Sequence, residues 1–380
     1  MDARIAVIGV GTMGSMVMWQ LARRGVSVAG FEQFGIGHDR SAAGGESRAF
    51  RTAYLEGSEY VPLLQEAKNQ WEELEKDTGS RLLTLNGGLM IGKENNPSMK
   101  NILQCIKEFN LDHEILEGET ARKHYPQHPL RSGEFMVLDK QAGYIKPELS
   151  VLSAARKAEE LGSKIYRYSR VESIQPHSDG VTVFVDNQKY MFEKVVITAG
   201  PWLSRMLPNY KENFEINRLL LAWFAAKDIE QFIPERFPIF VRLNDDINLF
   251  GIPTLDGNMV KLAPVTGNGD GLIQDPDNVD RNVKVEDLKS LMDGVRKYLP
   301  DIIPEPVRVS AYMDGFTTDH HPVVGFAPKS QNVLVLGGFS GHGFKMAPVM
   351  GKIAADLVID GCTPHNIQHL NPNRFANAKV

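Results

Sequence analysis

Two glycine-rich stretches, one near each end of the chain, and two arginines close to the first carry the residue types that could bind a charged ligand. Gly9-Val10-Gly11-Thr12-Met13-Gly14 has its glycines at the first, third and sixth positions. In that spacing the first glycine allows a tight turn, the second lets backbone approach a pyrophosphate, and the third lets a helix pack close to a strand. Glu32 falls where the next strand ends, so its carboxylate can accept from both ribose hydroxyls of an adenosine. An acid at this point argues against a 2′-phosphate, and FAD or NAD is expected before NADP. Arg48 and Arg51 lie in Ser41-Ala42-Ala43-Gly44-Gly45-Glu46-Ser47-Arg48-Ala49-Phe50-Arg51, a run of small residues that reads as a loop beside a ligand. Two cations there can hold a carboxylate or a phosphate; the alternative is a solvated loop with surface arginines. Ala199-Gly200-Pro201-Trp202 and Gly338-Phe339-Ser340-Gly341-His342-Gly343-Phe344-Lys345 each follow an apolar run, and their glycines permit close backbone approach to a cofactor.

The elements that must position these residues can be read from hydrophobic spacing. Ile5-Ala6-Val7-Ile8 is a buried parallel strand, residues 15–24 an amphipathic helix stopped by Gly25, and residues 26–31 a second strand. Helices are expected over residues 60–76, 97–109, 118–125, 147–161, 285–299 and 347–359, with Pro201 and Trp202 opening another. Residues 82–91 read as strand, turn, strand. Further strands are expected over 164–168, 171–174, 181–185, 190–192, 219–224, 239–242, 248–251, 259–265, 307–316 and 333–337. Crossover helices vanish after residue 217, which points to an antiparallel or mixed sheet there. His124 and His128 stand four apart, but Pro126 between them breaks the helix a metal pair would need.

At 380 residues the chain suggests two domains, and 42% hydrophobic with 23% charged residues is ordinary for a globular protein. A net charge of −5 makes a nucleic-acid partner a poor fit. No apolar run is long enough to span a membrane, and the first strand starts too early to leave room for a signal peptide. Only Cys105 and Cys362 are present, so a reducing cytoplasm is the expected setting.

These residues together resemble the FAD-dependent amine oxidases of the D-amino-acid-oxidase-like fold. Within them the chain is most similar to the group of monomeric sarcosine oxidase, N-methyltryptophan oxidase and the fructosyl-amino-acid oxidases (amadoriases), and in that group it most resembles the bacterial fructosyl-amino-acid oxidases. The resemblance rests on Gly9 to Gly14 with Glu32, the 41–51 run followed by Tyr60-Val61-Pro62-Leu63, Ala199-Gly200-Pro201-Trp202, Thr317-Thr318-Asp319-His320-His321-Pro322-Val323-Val324-Gly325, and the Gly338 to Lys345 stretch. It implies an α/β fold in which a Rossmann-like FAD-binding domain (residues 1–86, 146–216 and 316–380) interleaves with a substrate domain on a large mixed β-sheet (87–145 and 217–315). It implies cofactor contacts from Gly9, Gly11, Thr12, Met13, Gly14, Glu32, Ser41, Ser47, Arg48 and Val171. Later in the chain it adds Ala199, Gly200, Trp202, Gly338, Gly341, His342, Gly343, Phe344 and Lys345. It places Arg51 and Lys345 on the substrate carboxylate, Phe250 in the substrate pocket, and Lys261 over the flavin, where a fixed cation stabilises the negative charge that develops on oxygen. The partners it implies are a small-molecule amine and oxygen, with the chain a monomer or homodimer.

The departures from that pattern shape the expectation further. Sarcosine oxidase attaches FAD through a cysteine, where this chain reads Ala311-Tyr312-Met313, so FAD should be held non-covalently. Two loop histidines are replaced by Ala43 and Gly44, a third by Val265, and a tyrosine by Phe250. Each change removes bulk or a hydroxyl. A roomier pocket is expected, suited to fructosyl amino acids and yielding amino acid, glucosone and hydrogen peroxide, with N-methyl amino acids as the alternative. A flavin dehydrogenase that passes electrons to a partner is disfavoured by Lys261, and a non-catalytic flavoprotein subunit is the reading furthest from these residues.

Overall fold

A computed structural model describes residues 2–265, 272–273, 275–328 and 330–375. Its first unit is built as the glycine spacing requires. The strand Ile5–Ile8 is wholly buried and runs into the helix Thr12–Arg23, which begins inside the glycine turn rather than after it. Gly25, at φ +70°, ends that helix, and the strand Val28–Phe31 follows. Ile5–Ile8 sits centrally in a six-stranded sheet, paired in parallel with Val28–Phe31 on one side and Lys194–Ile197 on the other. The late strand Val333–Gly337 joins in parallel beyond Lys194–Ile197. The first and last helices pack almost backbone to backbone: a Cβ on Gly351 would lie 2.6 Å from the Met16 carbonyl carbon. The two ends of the chain thus converge on one site.

A second, eight-stranded sheet draws on residues 88–139 and 214–317. It is antiparallel except where Ile239–Arg242 pairs with Gly88–Lys93. Its longest pair is Phe214–Ala226 with Ile302–Thr317, so both strands cross the boundaries expected near 217 and 315. The second of these was expected over 307–316, and it takes in Pro304 and Pro306 as well. The strand begins at Ile302 because it lies at the sheet edge, where a missing N–H breaks no ladder.

A small three-stranded sheet joins Arg48–Phe50, Gly143–Ile145 and Leu83–Thr84. Part of the expected loop over 41–51 is therefore strand, and that pairing fixes where Arg48 and Arg51 point. The strands His113–Leu116, Glu134–Asp139, Gly143–Ile145 and Val323–Phe326 were not anticipated. Pro201 and Trp202 open a single 3₁₀ turn and a four-residue helix rather than a full one. His128 is buried against Phe237, whereas His124 is exposed and bonds the Thr120 carbonyl. Among the described residues no three metal-binding side chains cluster, and no helix is long and apolar enough to cross a membrane.

Candidate active site

A long cleft with an empty volume of about 1360 Å³, counting its open mouth, runs along the carboxyl end of the six-stranded sheet. Two of the three glycines of the first turn have a steric reason. A Cβ on Gly9 (φ +87°) would sit 2.7 Å from the Thr198 carbonyl oxygen, and one on Gly14 would sit 1.9 Å from the Gly9 oxygen. Gly11 meets nothing within 4 Å, so its backbone is open to the cleft. The helix Thr12–Arg23 has no side-chain cap and no acid in its first turn. Its N–H groups are free for an anion, and the buried Thr12 hydroxyl has no protein partner. Glu32 is aimed by backbone: Oε2 accepts from the Val10 N–H at 2.9 Å and Oε1 from the Phe34 N–H at 2.9 Å. Open glycine backbone, uncapped helix, unpartnered hydroxyl and fixed carboxylate together fit an adenine dinucleotide.

Of the expected cofactor residues, Gly9, Gly11, Thr12, Met13, Glu32, Ser41, Arg48 and Val171 line the cleft, as do Ala199, Gly200, Trp202, Gly338, Gly341, Gly343 and Phe344. Gly14, Ser47, His342 and Lys345 do not. Gly14 acts one layer behind, letting the helix seat on the turn. Ser47 faces Lys261. His342 turns away toward Tyr54, and Lys345 lies buried beyond the loop. The sequence reading missed Thr198, whose hydroxyl donates to the Gly9 oxygen at 2.7 Å, and Asp314. The Asp314-Gly315 pair, one residue past the segment inspected for a cysteine, was the available signal.

Lys261 is 1% exposed and joins the large sheet to the glycine loop. Its Nζ donates to the Ser47 oxygen at 2.5 Å, the Gly45 oxygen at 2.8 Å and the Ser47 hydroxyl at 3.3 Å. Burial, then the neighbouring Arg48, hold its ammonium pKa well below the usual lysine value. The loop is pinned from outside as well. Glu148 accepts from the Gly45 and Glu46 N–H groups, and Glu46 accepts from the Trp223 indole at 2.7 Å. Phe250 is half-buried opposite Ala263, two residues along from Lys261 and on the same sheet face.

A second cationic group forms where residue 51 meets the last loop. Arg51 is 8% exposed, and its Nε and Nη1 have no partner; only Nη2 approaches Glu56, at 3.4 Å. Lys345 is 5% exposed and its Nζ donates to the His342 oxygen at 2.7 Å. Burial, then Arg51, push the Lys345 ammonium down to about 7. Burial pushes the Glu56 carboxyl up, but Arg51, His342 and Lys345 outweigh it and hold the group below its usual range. The Tyr54 ring lies 5.6 Å from the Arg51 guanidinium and 5.2 Å from Lys345 Nζ, beneath both cations. Its hydroxyl is 2.8 Å from His342 Nδ1, while His342 Nε2 meets the His320 carbonyl at 3.0 Å. A carbonyl only accepts, so Nε2 carries the hydrogen and Nδ1 accepts from Tyr54. Buried guanidinium N–H groups without partners each cost on the order of 1–3 kcal/mol. An incoming carboxylate satisfies them, so the geometry can anchor one.

The expected enlargement of the pocket at Ala43 and Gly44 is not what the structure shows. A Cβ on Gly44 would lie 2.4 Å from the Tyr312 ring, and Ala43 is fully buried in the core. The space given up at 44 is filled by the residue that stands in the segment where a flavin-linked cysteine was looked for. Neither cysteine lines the cleft: Cys105 is buried against the Tyr54 carbonyl and Cys362 is exposed.

The FAD dependent oxidoreductase family DAO matches residues 4–357. Monomeric sarcosine oxidase of Streptomyces avermitilis is 32% identical, over 98% of this chain and 98% of its own. N-methyl-L-tryptophan oxidase of Yersinia pestis is 28% identical, over 99% and 100%. Among solved structures, fructosyl amine:oxygen oxidoreductase (Amadoriase I) from Aspergillus fumigatus superposes with a TM-score of 0.79 over 100% of this chain and 91% of that one. Its identity is 17%, which makes the likeness one of fold.

Proposed function

From the premise that this chain belongs to the DAO family of FAD-dependent oxidoreductases, we propose that it oxidises N-methyl or closely related N-alkyl amino acids, with oxygen as electron acceptor. The enzyme class, an FAD-dependent amine oxidase, comes with the family and its full-length relatives. The observation that supports the substrate class is the buried Arg51–Lys345 pair with its unpartnered guanidinium N–H groups. Such a pair asks for a carboxylate, and the relatives named for sarcosine and N-methyl-L-tryptophan act on amines that carry one.

The fructosyl-amino-acid reading gives way to its alternative. It leaned on lost bulk or a lost hydroxyl at residues 43, 44, 250 and 265, and Tyr312 occupies the space at Gly44. The chain resembles sarcosine oxidases at 28–32% identity and an amadoriase at 17%.

Bound FAD supplies a two-electron acceptor. The chain's own residues bind and orient around it. Arg51 and Lys345 fix the substrate carboxylate and so set which carbon faces the cleft, and burial of both keeps water from competing for them. In the net reaction the carbon beside nitrogen loses a hydride, the imine is split by water to primary amine and aldehyde, and oxygen leaves as hydrogen peroxide. Lys261 contributes a fixed charge near the glycine loop, where oxygen is to gain electrons. The glycine turn, the helix N-terminus, Glu32 and Arg48 would hold FAD, without a bond to cysteine.

A peroxide-release assay tests this reading. Sarcosine or N-methyl-L-tryptophan should give the higher kcat/KM when compared with fructosyl-glycine and fructosyl-valine. A fructosyl amino acid preferred tenfold or more over both N-methyl amino acids would overturn the assignment.

A further inference from the structure

Glu32 and Asp314 are two of the carboxylates that line the cleft. Glu32 lies at the adenosine end; Asp314, on the strand Ile302–Thr317, lies beside Arg48 and the Gly341 loop. A dinucleotide with its adenosine on Glu32 would run along the cleft that Asp314 also lines. The side chain cannot swing away: Oδ1 accepts from the Gly315 N–H at 2.8 Å and Oδ2 from the Gly341 N–H at 3.1 Å. Part of its surface opens into the cleft. Arg48 is the charged group that bears on it. That guanidinium is already committed to the Ser47, Ala42 and Gly44 carbonyls, and it makes no ion pair with Asp314 among the described residues. Glu148 and Tyr312 act on Arg48, and the Gly200 side presents backbone only. Neither the carboxylate-binding residues nor Lys261 uses Asp314.

We propose that Asp314 couples electron uptake in this cleft to proton uptake: as an anion it holds the reduction potential of bound FAD down, and as a neutral acid it releases it. A hydride leaving the substrate carbon with its electron pair oxidises the substrate to a cationic iminium, and the ring that would take it gains one negative charge, which stays once the iminium departs or is hydrolysed. A fixed anion beside the ring opposes that charge; a protonated carboxyl does not, and can donate to it. Burial pushes the Asp314 carboxyl up to about 6, so the change falls within an ordinary working range. Ionised Asp314 therefore depresses the potential above about pH 6, and the depression fades as pH falls below it. The inference rests on the family's flavin and not on which amine is oxidised, so it stands or falls apart from the substrate assignment.

The test is the midpoint potential of the holoenzyme from pH 5 to 8, read by flavin absorbance against a redox dye. Asp314→Asn should have the higher potential at pH 8, and the gap to wild type should close by pH 5. Equal potentials at pH 8, or a gap that persists unchanged at pH 5, would overturn the coupling. Should Asp314→Asn release its flavin, Asp314→Ser and Asp314→Glu replace it. Serine should reproduce the raised potential at pH 8 and glutamate should keep the wild-type profile; a wild-type profile with serine refutes the proposal.

Discussion

Lys261→Met is expected to slow the reaction of reduced flavin with oxygen by about a hundredfold or more, the usual cost of removing one preorganised group that faces developing charge. The structure gives reasons for an effect of this size. The ammonium is held by the Gly45 and Ser47 carbonyls of the same loop whose Ser41 and Arg48 line the cofactor cleft. It is already fixed when oxygen arrives, so no reorganisation is needed at the moment of reaction. Methionine keeps the length and apolar contacts of the stem but leaves two carbonyls short of a donor. The loss should therefore fall on the oxygen step while substrate still reduces the flavin. Stopped-flow reoxidation measures the step directly. Flavin content, read after acid precipitation that releases the yellow colour and leaves a colourless pellet, should stay normal. Because burial and Arg48 hold the Lys261 ammonium well below its usual range, the charge is lost at a lower pH than for a free lysine. Wild-type reoxidation should accordingly slow as pH rises. Reoxidation of Lys261→Met at near wild-type rate would remove Lys261 from the oxygen step.

The second large effect concerns the carboxylate. Arg51→Ala and Lys345→Ala should each weaken carboxylate inhibitors by about 2–5 kcal/mol, the range for truncating one partner of a buried charge pair. That corresponds to roughly thirty- to several-thousand-fold in dissociation constant. If both residues hold one ligand group, the double variant should lose less than the sum, since they also meet around Glu56 and Tyr54. Lys345 also gives the site a pH signature. Its ammonium is depressed to about 7 by burial and by Arg51, so it is charged below pH 7. A bound carboxylate favours the charged form. Affinity should thus be full below about pH 7 and decline above it, with proton uptake on binding in the declining range. Lys345→Ala should flatten that profile. Titrating an acetate-type inhibitor into the oxidised variants, followed by flavin absorbance, separates the cases. Unchanged affinity in both single variants would refute a shared carboxylate site.

What the sequence made legible follows from how local each signal is. The glycine turn, its flanking strands and Glu32 form one contiguous unit whose geometry is set by sterics within about thirty residues. It was readable, and only boundaries moved: the helix runs Thr12–Arg23 instead of 15–24, and the second strand Val28–Phe31 instead of 26–31. The strand Ile302–Thr317 begins ahead of its expected bound and runs through Pro304 and Pro306, which an edge tolerates, and only the sheet order shows that it occupies an edge. The short strands Glu134–Asp139 and Gly143–Ile145 carry weak periodicity and are held by partners far away in sequence. The site divides in the same way. Residues in glycine motifs fell on the cleft, since close approach is a backbone property encoded locally. His342 lies inside such a motif yet points out of the cleft, because its rotamer answers to Tyr54 and the His320 carbonyl, partners that no motif records. The supposed room at Gly44 failed for a related reason. A missing side chain makes a pocket only if nothing else fills it, and Tyr312, from the far sheet, does.

The most direct measurement of the central claim uses the wild-type holoenzyme without oxygen. Sarcosine and N-methyl-L-tryptophan are each compared with the amine that lacks the carboxylate, dimethylamine and N-methyltryptamine, and the loss of oxidised-flavin absorbance is followed in a stopped-flow instrument. If Arg51 and Lys345 anchor the substrate by its carboxylate, at least one amino acid of the pairs should bleach the flavin at least a hundredfold faster than its decarboxylated partner at equal concentration, since about 3 kcal/mol of anchoring is lost with the carboxylate. Bleaching by the decarboxylated amines at the rate of the amino acids, or by neither member of either pair, would contradict the account.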